Sequence, residues 1–247
     1  AAKRADAAHE RRRDAASVTA GRALGPFGDD THDVRVAPDV VLSQKYPFVL
    51  PPLGYAFQAA EPAVDAATLR AHHERVHAAH VASLNAALAA HPSLHPLTLG
   101  ELLMGLRRWP AAVRPVIRLD GSAHANHALY WTLLAPGAPS VAVPGGKLAE
   151  MIRRDFADRE ALQAAIVDAA AAHAGTGWVW LVKTATSRLA IRTLPEEDSP
   201  LLEGELPIVG IDLWEHAYAP RPLARRRDYV LAVLARLNWD VAGAQVE

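Results

Sequence analysis

The strongest constraint on this chain is the point at which its patterning changes. From Asp65 to Ala174 every segment reads as helix or loop, and none shows the apolar–polar alternation of a half-buried strand. After the turn Gly175-Thr176-Gly177 the character switches. Trp178 to Lys183 and Leu189 to Thr193 are short β-rich runs joined by a polar turn, which predicts a hairpin, and Leu206 to Leu213 is a third such run. The order implies an α+β fold: an N-terminal helical domain, then an α+β domain with a three-stranded antiparallel sheet.

Within the helical part, Asp65 to Ala90 carries no Pro or Gly and predicts one long helix, ended by Pro92 and Pro96. Thr98 and Glu101 have capping-box spacing for a second helix through about Arg108. Pro110 and Pro115 bracket a short turn or helix. Gly121-Ser122 then opens a helix over Ala123 to Leu134, with Ser122 as its N-cap. Pro136 to Gly146 reads as a loop, Lys147 to Asp155 and Asp158 to Ala174 as two helices, and Asp228 to Asn238 as a closing helix. Residues 1–46 differ: Ala-, Arg- and Asp-rich, then broken by Gly and Pro, they read as a peripheral or poorly ordered extension. The expected division is therefore 1–46, a helical domain 47–136 and an α+β domain 137–247.

Composition removes several classes of function. There is no Cys, which excludes disulfides, thiolate metal sites, iron–sulfur clusters and a Cys nucleophile. Lys plus Arg is 26 against 27 Asp plus Glu, a net charge of −1, without the basic surplus of a nucleic-acid binder. No apolar run approaches the ~18 residues of a membrane span. A start at Ala1 fits a cleaved export signal and a trimmed cytoplasmic chain equally.

Three clusters among the twelve histidines carry chemistry. On the long helix, His72, Val76 and His80 fall within about a quarter turn, so two imidazoles can face one buried point. His124 and His127 share a face at i, i+3. In Asp212-Leu213-Trp214-Glu215-His216 a strand runs toward a helical turn, and Asp and His four apart can converge on one ion; the competing reading is a helix-capping Asp and a core His. Imidazoles plus one carboxylate suit iron or manganese. Trp178 and Trp180 alternate onto one face of their strand, either as plain core or as a wall that keeps such a site dry.

In order and spacing these segments resemble the iron/manganese superoxide dismutase family over Pro47 to about Val241. The likeness is carried by Leu50-Pro51-Pro52-Leu53-Gly54-Tyr55, His72-His73, Ala125-Asn126-His127, Gly175-Thr176-Gly177-Trp178-Val179-Trp180-Leu181, Asp198-Ser199-Pro200-Leu201, Asp212-Leu213-Trp214-Glu215-His216-Ala217-Tyr218 and Asn238-Trp239-Asp240. The resemblance implies His72, His127, Asp212 and His216 as ligands of one Mn or Fe ion per subunit, and superoxide as the substrate anion. It implies Trp178 and Trp214 as pocket aromatics, Glu215 as a bridge to a partner subunit in a homodimer or dimer of dimers, and Arg75 and Arg226 as steering charges.

The chain departs from the family pattern around that centre. The Gln of the manganese type is Glu197, and the position that supplies Gln in the iron type is Ala123. The family's gateway Tyr is His80, its gateway His is Val76, and the Tyr reaching that His across the dimer is Ala219. An ionised Glu only accepts hydrogen bonds where Gln also donates. The resemblance thus implies a metal-dependent superoxide dismutase, its activity altered by these changes, that converts superoxide to dioxygen and hydrogen peroxide; the alternatives are a centre redirected to other oxygen or peroxide chemistry and a non-enzymatic metal-binding protein.

Overall fold

The computed structural model describes residues 38–134, 146–218 and 225–247. The Ala/Arg-rich stretch, the loop expected over Pro136 to Gly146 apart from its last residue, and Ala219 lie outside the described residues. The described elements are α1 (Pro38–Leu42), α2 (66–88), α3 (Leu99–Met104), α4 (114–134), α5 (Gly146–Phe156), α6 (Arg159–Ala172), β1 (Gly177–Lys183), β2 (Leu189–Pro195), β3 (Leu206–Asp212), α7 (Arg226–Leu234) and α8 (Trp239–Ala244). Among the described residues no helix is long and apolar enough to cross a membrane.

The helical half forms as its local signals dictate. Asp65 caps α2 by accepting from the Thr68 backbone N–H at 2.9 Å. Thr98 and Glu101 close a full capping box at the start of α3. Both long helices contain a π-turn, His72–His77 in α2 and Ile117–Gly121 in α4. Such a turn admits one extra residue and re-aims the side chains beyond it.

Helix α4 differs from the expectation of a start at Gly121-Ser122. It begins at Arg114 and runs unbroken to Leu134. Pro115 sits in the first turn, where its missing N–H costs nothing. Ser122 lies inside the helix, fully buried, and is not a cap. At Gly121 a Cβ would come 3.3 Å from Leu103 Cδ2, so the glycine lets α3 pack closely. The chain's end differs too. Asn238 closes no helix; its side chain accepts from the Val241 N–H and caps α8.

The sheet has the order β2-β1-β3, both pairings antiparallel, with β1 central and buried on both faces. A register shift between Leu181 and Val182 accommodates Pro207 at the start of β3. Helices α6 and α7 pack together, and α6 lies against the sheet. One apolar core joins the sheet, α4, α5, α6, α7 and α8; a second joins α1, α2, α3 and the side of α4 that carries Ile117, Ala125 and Ala128. Val41 of α1, in the stretch expected to be peripheral, is buried in that second core.

Trp178 and Trp180 stack on the same face of β1, centroids 5.3 Å apart and 20° from parallel. Trp180 lies directly over its cross-strand partner Gly210, where a Cβ would be 2.2 Å from the indole ring. Gly210→Ala is therefore expected to destabilise the fold by about 1–3 kcal/mol, the usual range for overpacking. Its unfolding midpoint in urea should fall with an unchanged slope.

Candidate metal centre

Four donors from four different elements meet at one buried point. His72 comes from the π-turn of α2, His127 from α4, Asp212 from the last residue of β3, and His216 from the adjoining 3-10 turn Glu215–Ala217. One ligand atom from each lies within 4.8 Å of all the others. His72 Nε2 is 3.1 Å, His216 Nε2 3.3 Å and His127 Nε2 3.8 Å from Asp212 Oδ2. His72 Nε2 and His127 Nε2 are 2.8 Å apart. Three of the four residues are buried, and His216 has a side chain 24% exposed.

The polar atoms are set for a cation. His127 Nδ1 donates to the Ala123 carbonyl at 2.7 Å, which fixes the proton there and leaves Nε2 as a lone pair toward the other donors. Asp212 Oδ1 accepts from the Trp214 backbone N–H at 2.8 Å, while the buried Oδ2 receives no aligned hydrogen bond. This is a short turn closed by the carboxylate, and the 3-10 turn after it is capped by Trp214, not by Asp212. Burial pushes His72 down to about 4, offset in part by the nearby Asp212 carboxylate, and burial also lowers His127. Burial alone would raise Asp212, but the adjacent imidazoles of His216 and His72 outweigh it and hold the carboxyl below its ordinary value. Three imidazoles, two of them kept from charging by burial, and a carboxylate one of whose oxygens lacks a donor fit a first-row divalent or trivalent ion.

Aromatic rings close the surroundings. Trp178 meets the His127 ring edge-on at 5.2 Å, and its Nε1 donates to Glu197 Oε2 at 2.9 Å. Trp214 stacks on His216 at 5.6 Å and donates to the Glu196 carbonyl. Glu197 is 2% exposed and stands outside the four-donor group. Its loop is held at several points: Asn126 donates to the Glu197 carbonyl, and Arg118 forms a two-point bridge to Asp198. His80 is buried, with Nε2 3.9 Å from Glu197 Oε1. Glu215 is half-buried, Arg75 exposed, and Arg226 donates to the carbonyls of His173 and Gly175.

Several contacts at the site join residues that no sequence spacing pairs. Asp120 accepts from His80 at 2.7 Å and from Ser83 at 2.7 Å. The Trp131 indole donates to His77 Nδ1, so His77 carries its proton on Nε2 and donates to His124 Nδ1 at 2.8 Å. On an α-helical wheel His73 and His77 fall about 20° and 60° beyond His80, so the four histidines share one broad face. All four are buried, three of them within the π-turn His72–His77.

These buried histidines predict acid sensitivity. Burial lowers His73 and His77, and lowers His124 to about 4. An unfolded His titrates near 6.5, so below that pH the unfolded chain takes up protons that the folded chain refuses, and stability falls until the folded value is passed. His124 alone accounts for about 3 kcal/mol lost between about pH 6.5 and 4. Urea unfolding of the metal-free chain at pH 7.5 and pH 4.5 measures the loss, and His124→Gln should shrink it.

A helical pair that supplies two imidazoles, and a small sheet that supplies a carboxylate and a third, define a protein built around one mononuclear metal-binding centre. A family model described as iron/manganese superoxide dismutases, alpha-hairpin domain, matches residues 47–135, and one described as iron/manganese superoxide dismutases, C-terminal domain, matches residues 144–245. The chain is 44% identical over 197 residues to "Superoxide dismutase [Mn]" of Thermus thermophilus, covering 80% of this chain and 96% of that protein. It is 40% identical over 203 residues to "Superoxide dismutase [Mn]" of Bordetella pertussis, covering 81% and 94%. The chain belongs to the iron/manganese superoxide dismutase family.

Proposed function

We propose that this chain is a superoxide dismutase in which His72, His127, Asp212 and His216 hold one manganese or iron ion per subunit. The observation that carries the reading is the convergence of those four donor atoms within 4.8 Å at a buried point. The relatives named for manganese favour that metal here. When bound, the ion supplies one-electron chemistry between its trivalent and divalent states, so that one superoxide leaves as dioxygen and a second, with two protons, as hydrogen peroxide.

The protein's own part is to orient and to exclude. His127 is fixed as an Nε2 donor through Ala123. Trp178 and Trp214 pack against ligand imidazoles and limit water around them. Arg75 and Arg226 add positive charge that draws an anion inward. Glu215 sits beside His216 on the 3-10 turn and is the residue through which a second subunit would reach the centre in a homodimer or dimer of dimers.

The test is stopped-flow decay of superoxide on protein of known metal content, reloaded separately with manganese and with iron. Fast second-order decay, greater with manganese, is the expected result. Full occupancy with no decay above background overturns the dismutase assignment and leaves the family membership standing.

A further inference from the structure

We propose that Asp120 is a positioning residue that sets the tautomer of His80, and thereby decides which hydrogen-bonding face His80 turns toward Glu197 beside the metal centre. The inference rests on the reading of that centre as a dismutase site. Its basis is a buried line of three residues from three elements. His80 of α2 is 1% exposed, Asp120 of α4 is 5% exposed, and Glu197 lies in the loop between β2 and β3. His80 Nδ1 is 2.7 Å from Asp120 Oδ1, and Asp120 Oδ2 accepts from the Ser83 hydroxyl at 2.7 Å. His80 Nε2, on the opposite edge of the ring, faces Glu197 Oε1 at 3.9 Å.

The chemistry of the groups fixes the proton. An ionised carboxylate accepts only, so the nitrogen within hydrogen-bonding distance of one, Nδ1 at 2.7 Å from Asp120, bears hydrogen, whereas Nε2 at 3.9 Å from Glu197 is too far to be held protonated by that carboxylate. With the proton on Nδ1, the neutral ring presents a lone pair at Nε2. The other tautomer would present an N–H there. Asp120 therefore determines whether the residue beside Glu197 accepts or donates. Ser83 fixes the carboxylate in turn, and the π-turn Ile117–Gly121 places Asp120 on the side of α4 that meets α2. Glu197 is held independently, through Trp178 at Oε2 and Asn126 at its carbonyl. Both ends of the line are thus anchored, and the His80 ring, 5.8 Å from the ring of His127, is the element between them.

The experiment uses the full chain with its histidines ¹⁵N-labelled and its centre loaded with diamagnetic Zn(II), the His80 signals being assigned by their loss in His80→Gln. The wild type is expected to show Nδ1 protonated and Nε2 bare; an Nε2-protonated signature in the wild type overturns the proposal without need of any variant. Asp120→Ala should shift the ring toward the other tautomer. On manganese-loaded protein of equal metal content it should cut superoxide turnover about tenfold or more, the scale seen for partners that orient metal-site residues. Asp120→Asn should restore both, because the amide oxygen can accept from Nδ1–H while its NH₂ faces the Ser83 hydroxyl. An unchanged tautomer in the Ala variant, or a changed tautomer with unchanged turnover, overturns it. A wild type without turnover sinks the dismutase reading instead, and the ¹⁵N comparison still decides the role of Asp120.

Discussion

Asp212→Ala is expected to abolish metal retention and superoxide turnover together, the largest effect of any single substitution in this chain. Asp212 Oδ2 is the common point of the centre, within 3.1–3.8 Å of all three imidazoles. It is the only anion in the four-donor group, and Oδ1 also terminates the Trp214 backbone N–H. Removing it takes away the charge that offsets the cation, frees the turn that carries His216, and leaves a buried N–H unpaired. Substitutions at residues that merely orient ligands cost 10–100-fold in metal affinity, so loss of a ligand with its charge should exceed about 100-fold. Metal analysis after dialysis against a chelator gives the result. A variant that keeps stoichiometric metal would remove Asp212 from the ligand set. Because the ion stabilises the folded state by mass action, the thermal midpoint of the variant should also stop responding to added manganese.

The legible parts of the fold were those whose physics is local. The capping box at Thr98 and Glu101, the cap at Asp65 and the alternation that puts Trp178 and Trp180 on one face all depend on residues within a few positions of each other. The four converging donors were legible for a different reason: their motifs resemble a family in order and spacing. The illegible parts depend on tertiary context. Gly121 reads as a helix break but is a packing allowance for Leu103, visible only once α3 and α4 are in contact. The π-turns carry no sequence signature that separates them from α-helix, so the extra residue in each turn could not be derived from the spacing. Asp120 lies 40 residues from His80. Nothing in either helix taken alone names the other as its partner.

Glu197→Gln is expected to raise the reduction potential of the manganese-loaded protein by on the order of 100 mV and to increase superoxide turnover. The substitution is close to isosteric and restores the residue type of the family's manganese pattern. The Trp178 indole can donate to the Gln oxygen as it does to Glu197 Oε2, so the wall beside His127 should keep its place. The Gln NH₂ then faces His80 Nε2, where the tautomer set by Asp120 offers an acceptor. The change that remains is charge. Glu197 is buried beside the centre, and a carboxylate there favours the trivalent ion over the divalent one; its removal lowers that preference. At an effective dielectric of about 20, one charge several Å away is worth about 2–4 kcal/mol, which sets the scale of the shift. Dismutation needs a potential between those of its two half-reactions, so a centre held too low by an added anion gains rate when the anion is neutralised. Redox titration followed optically, with superoxide decay on the same samples, separates the two claims. A raised potential without faster turnover would place the wild-type potential already near its optimum. An unchanged potential would show that charge at residue 197 is not what distinguishes this centre from its relatives.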